Sequence, residues 1–130
     1  MPSLSAAVLC LVVGITDGDT VTVRCGEQPE QKVRMVEIDA PEKRQAFGQR
    51  ARQALSDLVF QKTVQIESRG TDRYQRTLGA LYLDGCNINF ELVRQGYAWC
   101  YLDYLEDKSC LAIQDEARAA SRGLWTGETP

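Results

Sequence analysis

The 130-residue chain contains no histidine. That absence removes Ser-His-Asp and Cys-His nucleophile systems, His-ligated zinc, and every hydrolytic design that relies on an imidazole base. Any chemistry must rest on carboxylates, arginine, tyrosine, lysine, cysteine or a hard metal ion. The chain also lacks a basic excess: 15 Lys and Arg stand against 18 Asp and Glu, for a net charge of -3. It cannot grip a long polyanion through a broad basic face. Such an attraction has to come from a local arginine cluster or a bound metal. Cys10, Cys25, Cys86, Cys100 and Cys110 form no CxxC pair, so a zinc ribbon is not expected. No apolar stretch is long enough to span a membrane, and no repeat or low-complexity segment interrupts the chain.

What is present suits one globular domain over residues 1–130, with short flexible ends at about 1–6 and 127–130. A hydrophobic share of 44% beside 25% charged residues is enough to bury a core. The apolar run Ala6 to Val13 has no Lys or Arg before it and no cleavage-like break after it. It reads as a first core strand rather than a secretory leader. That strand covers Val8 to Thr16, Asp17-Gly18 follows as a hairpin turn, and Thr20 to Arg24 alternates as the return strand. Lys32 to Asp39 reads as a third strand stopped by Pro41. The period then changes: Ala51, Leu55, Leu58 and Val59 share one face of a helix from about Gly48 to Phe60.

Val64 and Ile66 mark a fourth strand, Ser68 to Thr77 a polar loop, and Leu78 to Leu83 a fifth strand ending at an Asp84-Gly85 turn. Asn89 is placed to cap a short helix ending at Gly96. Tyr97 to Tyr101 is strand-like, and Ile113, Ala117, Ala120 and Leu124 define a last helix closed by Gly123. The class is α+β, and five short strands with strong turns suit a small closed barrel such as the OB-fold, here with three helices. If Asp17-Gly18 is a two-residue loop, facing residues have numbers summing to 35, and Cys10 with Cys25 does so. Facing residues lie roughly 4.5 to 5.5 Å apart, within disulfide reach. Cys100 with Cys110 is a second candidate pair. Neither bond is compelled by the sequence.

Charged residues concentrate where strands end, in Asp17-Gly18-Asp19-Thr20, in Arg34 to Glu42, and in Thr71 to Arg76. Each has an ordinary explanation alone: DGD is turn chemistry, Asp39 before Pro41 could cap a turn, and a strand arginine is usually solvated or paired. Together they supply oxygen ligands for a hard cation and guanidinium forks for a phosphate. The order DGDT, R-x4-D-x-P-E, DRYxR and LVRQG, from about Val8 to Trp125, resembles staphylococcal nuclease and the wider thermonuclease-like family. The resemblance implies an OB barrel with three helices that uses calcium to cleave DNA and RNA, leaving 3′-phosphate ends.

Residue by residue, the resemblance assigns Asp19 and Asp39 as calcium ligands, with Ala40 contributing its backbone carbonyl where the family often has Thr. It assigns Glu42 as the general base and Arg34 and Arg76 as the phosphate-binding arginines. It places Tyr74 near the nucleotide and Tyr101 or Tyr104 beside the base. The physical logic agrees, because phosphodiester hydrolysis builds negative charge on the phosphoryl oxygens. Two departures stand out: Gln75 replaces the Gly of the DRYGR form, and Lys43 to Phe47 is a shorter link to the first helix. The expectation is therefore a calcium-dependent endonuclease acting on DNA or RNA, as a monomer with no membrane partner. Secretion to the periplasm or the exterior is the family habit, and five cysteines are compatible with it. The alternative is a non-catalytic binding module that keeps the barrel, and the presence of Arg34, Glu42 and Arg76 together argues against it.

Overall fold

The computed structural model describes residues 7–127. The expected flexible ends lie outside this range except for Gly127. Five strands supply the barrel: β1 (Ala7–Asp17), β2 (Thr20–Arg24), β3 (Gln31–Met35), β5 (Thr63–Thr71) and β6 (Thr77–Leu83). Three short strands accompany them: β4 (Ile38–Asp39), β7 (Cys86–Asn87) and β8 (Trp99–Cys100). The helices are α1 (Gly48–Val59), α2 (Ile88–Arg94) and α3 (Ser109–Ala119). Antiparallel pairing runs in the order β3-β2-β1-β5-β6, and a parallel pairing of β3 with β6 closes the ring through Val33–Thr77, Arg34–Leu78 and Met35–Gly79. This is the expected α+β OB-fold barrel with three helices. Closure removes the open edges that a five-stranded sheet would otherwise expose.

The alternation that marked the strands also fills the barrel. Cys10, Val12, Val21, Val23, Val33, Met35, Val64, Ile66 and Leu81 are buried, so the residues between them on each strand face outward. Ala51, Ala54, Leu55 and Val59 seat α1 on this core, and Phe90, Leu92 and Val93 do the same for α2.

Several boundaries differ from the sequence expectation. The third strand is broken after Met35 because Glu37 takes a positive φ of 69°, and its continuation pairs with β8 instead. Asn87, not Asn89, caps α2 by accepting the Phe90 N–H. Asn89 is buried and ties the barrel to α2, accepting from Leu81 N at 3.1 Å and donating to the carbonyls of Val36 and Gly79. Only Trp99 and Cys100 of the strand-like Tyr97–Tyr101 pair as strand, and β5 continues to Thr71 into the predicted loop. Helix α3 stops at Ala119, so Leu124 lies in a separate tight turn whose N–H reaches the Gly96 carbonyl at 2.8 Å.

The β1–β2 hairpin turns at Gly18-Asp19, since Asp17 faces Thr20. Two register shifts on β1 then change the pairing sum from 37 to 35, so Leu11 faces Arg24 and Cys10 still meets Cys25. Both candidate disulfides are formed, with Cα separations of 4.3 Å for Cys10–Cys25 and 6.1 Å for Cys100–Cys110.

Candidate active site

Gly18 allows the hairpin tip to sit against the start of the long loop before α1. A Cβ on Gly18 would come within 2.8 Å of the Ala51 Cβ and 3.2 Å of the Ala40 Cβ, closer than packed carbons approach. This contact brings Asp19 to Ala40, whose N–H donates to Asp19 Oδ2 at 3.0 Å and to Asp39 Oδ1 at 3.0 Å. Arg34 points outward from β3 between the buried Val33 and Met35. Its Nη2 lies 3.2 Å from Asp39 Oδ1 and 3.4 Å from Asp19 Oδ2. Its Nη1 donates to the carbonyls of Met35 and Ile38, bracing the kink at Glu37. One guanidinium thus holds two carboxylates and two carbonyls together.

Asp19 is nearly enclosed, and burial pushes its carboxyl above the usual carboxylate value. The Arg34 guanidinium and the Thr20 hydroxyl, which donates to Asp19 Oδ1 at 3.0 Å, work against that rise without cancelling it.

Glu42 stands two residues beyond Ala40 on the exposed loop. Its backbone is fixed at both ends, with its N–H donating to Gln45 Oε1 at 2.6 Å and its carbonyl accepting from Gln45 N at 2.8 Å. Gly48 lies so close to the Glu42 carbonyl that any side chain would collide with it. Among the described residues nothing engages the Glu42 carboxylate, which leaves it free to meet a solvent or substrate group.

Arg76 lies one residue before β6, on a turn built around Asp72. Asp72 Oδ1 accepts the N–H groups of Tyr74 (2.9 Å) and Arg76 (3.0 Å), and Oδ2 pairs with Arg76 Nε at 2.8 Å. Those contacts hold the Asp72 carboxyl below its usual value. Gln75 adopts φ 67°, the left-handed conformation that glycine takes most readily.

A family model for staphylococcal nuclease homologues matches residues 32–127. The chain belongs to that family. It is 50% identical over 121 residues to a Haemophilus influenzae protein described as an uncharacterized endonuclease, an overlap of 93% of this chain and 68% of the relative. It is 43% identical over 126 residues to a Shigella flexneri protein named micrococcal nuclease, covering 88% of this chain and 72% of that one. Protein ParB of Escherichia coli is similar at 45% identity over 126 residues, covering 88% and 71%. In this staphylococcal nuclease homologue, Arg34, Asp39, Ala40, Glu42 and Arg76 lie inside the family match. Asp19 precedes it and joins the group through the hairpin contact.

The tyrosines divide into two places. Tyr74 is exposed above the Arg76 turn, with the Arg73 and Arg76 guanidinium carbons 5.1 and 5.6 Å from its ring centroid. Tyr101 and Tyr104 stack edge to face at 4.9 Å on the segment after β8. Trp99 on β8 pairs directly with Asp39, a neighbour that the sequence reading did not single out.

That reading also missed Glu37. It is buried, its carbonyl accepts the Tyr101 N–H at 2.9 Å, and its Oε1 accepts Glu106 N at 2.8 Å and Asp107 N at 2.7 Å. Its Oε2 pairs with Arg69 at 3.0 Å.

Among the described residues no three His, Cys, Asp or Glu side chains converge on one point. A cation here would have Asp19 and Asp39 as its charged ligands and would complete its shell with carbonyl and water oxygens. An all-oxygen set with two carboxylates fits a hard ion such as calcium or magnesium and not zinc. Asp19 is buried, and a buried carboxylate is the kind of group a cation compensates.

Proposed function

We propose that this chain is a calcium-dependent endonuclease that hydrolyses phosphodiester bonds in DNA or RNA. The observation that carries the reading is the convergence of Asp19, Asp39 and Arg34, with the unengaged carboxylate of Glu42 three residues beyond Asp39 on the adjoining loop. A calcium ion bound by Asp19, Asp39 and the Ala40 carbonyl would offset negative charge on the phosphoryl oxygens. Arg34 and Arg76 donate paired hydrogen bonds to the same phosphate, where charge-assisted bonds are strong and directional. Glu42 accepts the proton of the attacking water, and its fixed backbone and unengaged carboxylate suit that task. Tyr74, Tyr101 and Tyr104 offer ring faces to the substrate's bases.

Nuclease-named relatives support the reaction class, and the all-oxygen donor set supports a hard cation. Two closed disulfides support residence in an oxidising compartment, secreted or periplasmic. The test is nicking of plasmid and single-stranded DNA with calcium, with EDTA and with Glu42→Gln. Calcium should support cleavage, EDTA should abolish it, and Glu42→Gln should lower kcat by roughly 10² to 10⁴. Full activity in EDTA would defeat the metal assignment. Inactivity of the unsubstituted protein with every divalent ion would favour a non-catalytic binding module.

A further inference from the structure

The parallel closure of the barrel places one more cation beside the site. Val33 pairs with Thr77, so one step back in register sets Lys32 next to Arg76. Lys32 and Arg34 are two residues apart on β3 and face outward together, while Val33 and Met35 fill the interior. Lys32, Thr16, Thr20, Asp17, Tyr74 and Arg76 line a cleft of about 360 Å³ on this outer surface.

The charges in the cleft are unevenly committed. Asp17 Oδ1 accepts the Lys43 N–H at 3.0 Å, and Arg76 is fastened to Asp72. Arg34 is turned onto Asp19 and Asp39. The Lys32 ammonium has only the neutral Thr16 hydroxyl, at 3.4 Å, as partner among the described residues. It forms no ion pair among the described residues, and it lines an open cleft that also holds an exposed tyrosine face.

We infer that Lys32 binds a second phosphodiester of the substrate, next to the one that is cut. Two residues along a strand span about 7 Å, and the Arg34 guanidinium is held on Asp19 and Asp39, so the two cations serve different phosphates. Thr16 can donate to the same group, and Tyr74 supplies a ring for the intervening nucleotide. The cleft thereby orients a nucleic-acid strand along β3, which an acidic protein cannot do by overall charge. This inference rests on the nuclease reading for the identity of the substrate.

The experiment measures binding of a short single-stranded oligonucleotide in calcium over a salt series, on a Glu42→Gln background that suppresses cleavage. Adding Lys32→Gln should weaken binding several-fold and reduce the steepness of log K against log salt by about 0.7, the value of one lost phosphate contact on a single strand. Lys32→Arg should restore both. In the otherwise unsubstituted enzyme, Lys32→Gln should raise KM for the oligonucleotide several-fold with little change in kcat. That rise should shrink for a dinucleoside monophosphate, which carries only the scissile phosphate. A merely structural lysine would shift the melting temperature and leave the salt slope alone. An unchanged slope and KM overturn the assignment. Oligonucleotide binding without cleavage by the unsubstituted enzyme would overturn the nuclease reading while the slope still decides Lys32, and absence of any binding overturns both.

Discussion

In the proposed site Asp19 is placed where its charge would serve a cation, and where its burial is costly. Burial holds its folded carboxyl above the usual value of 3.8, so the folded chain binds that proton more tightly than the unfolded chain does. The contribution of this group to stability falls as pH rises from about 3.8 through the elevated folded value, and the loss is complete above it. Asp19→Asn keeps an oxygen for the Ala40 N–H and removes the buried charge. The metal-free variant is expected to melt at a higher temperature than the unsubstituted protein at pH 7. The advantage should vanish below pH 3.8, and calcium should stabilise the variant less. Thermal scans at several pH values, with calcium and with EDTA, check all three. Gln75 offers a simpler trade. A non-glycine residue in the left-handed region costs about 1–2 kcal/mol, and glycine returns part of that through its greater freedom when unfolded. Gln75→Gly should raise stability by up to about 1 kcal/mol in urea titration, and Gln75→Ala should give no gain.

The kink at Glu37 links two elements that the sequence presented as unrelated. Its backbone carbonyl and carboxylate hold the segment that carries Tyr101 and Tyr104, through Tyr101, Glu106 and Asp107. Glu37→Ala removes three acceptor contacts to charged oxygens and leaves Arg69 with Glu67 and Glu106 as its partners among the described residues. Hydrogen bonds to a charged group contribute about 1.5–3 kcal/mol each where buried, and Arg69 is exposed enough to screen its share. Two bonds remain, and since Glu106 and Asp107 are exposed they count at the lower end of that range, for an expected loss of about 3 kcal/mol. Faster amide exchange at Glu106 and Asp107 should accompany it, measured by native-state hydrogen exchange.

The same kink shows what the sequence could convey. Strands and helices with clean periods, such as the Val21–Val23 alternation and the Ala51–Leu55–Val59 face, were legible because burial imposes the period. The break after Met35 was not, because neither Val36 nor Glu37 is a turn residue by type, and the buried acceptor contacts that stabilise it come from residues about 70 positions away. The cap of α2 was misplaced by two residues because Asn87 and Asn89 are equally able to cap, and only tertiary packing gives Asn89 its other task. Most candidate site residues were legible through their order along the chain. Lys32 was not, since its position beside Arg76 depends on the β3–β6 closure.

At the scale of the whole molecule, the two disulfides tie the site's supports to the rest of the barrel. Cys10–Cys25 joins β1 to the end of β2, the hairpin whose tip carries Asp19. Cys100–Cys110 joins α3 to β8, the strand paired with Asp39. The enclosed loops span 15 and 10 residues, for which the chain-entropy account gives about 3 kcal/mol apiece. A small domain has a total stability of about 5–15 kcal/mol, so reduction should remove a large part of it. The exposed, unbonded Cys86 could exchange with either bond, so the comparison belongs on a Cys86→Ser background. Urea unfolding with and without a phosphine reductant should show a loss of about 3 kcal/mol for Cys100→Ser with Cys110→Ser, and close to twice that on full reduction. The slope m should increase, because the reduced unfolded chain exposes more surface. An unchanged midpoint would mean that the barrel's own packing, and not the cross-links, carries the stability of the site.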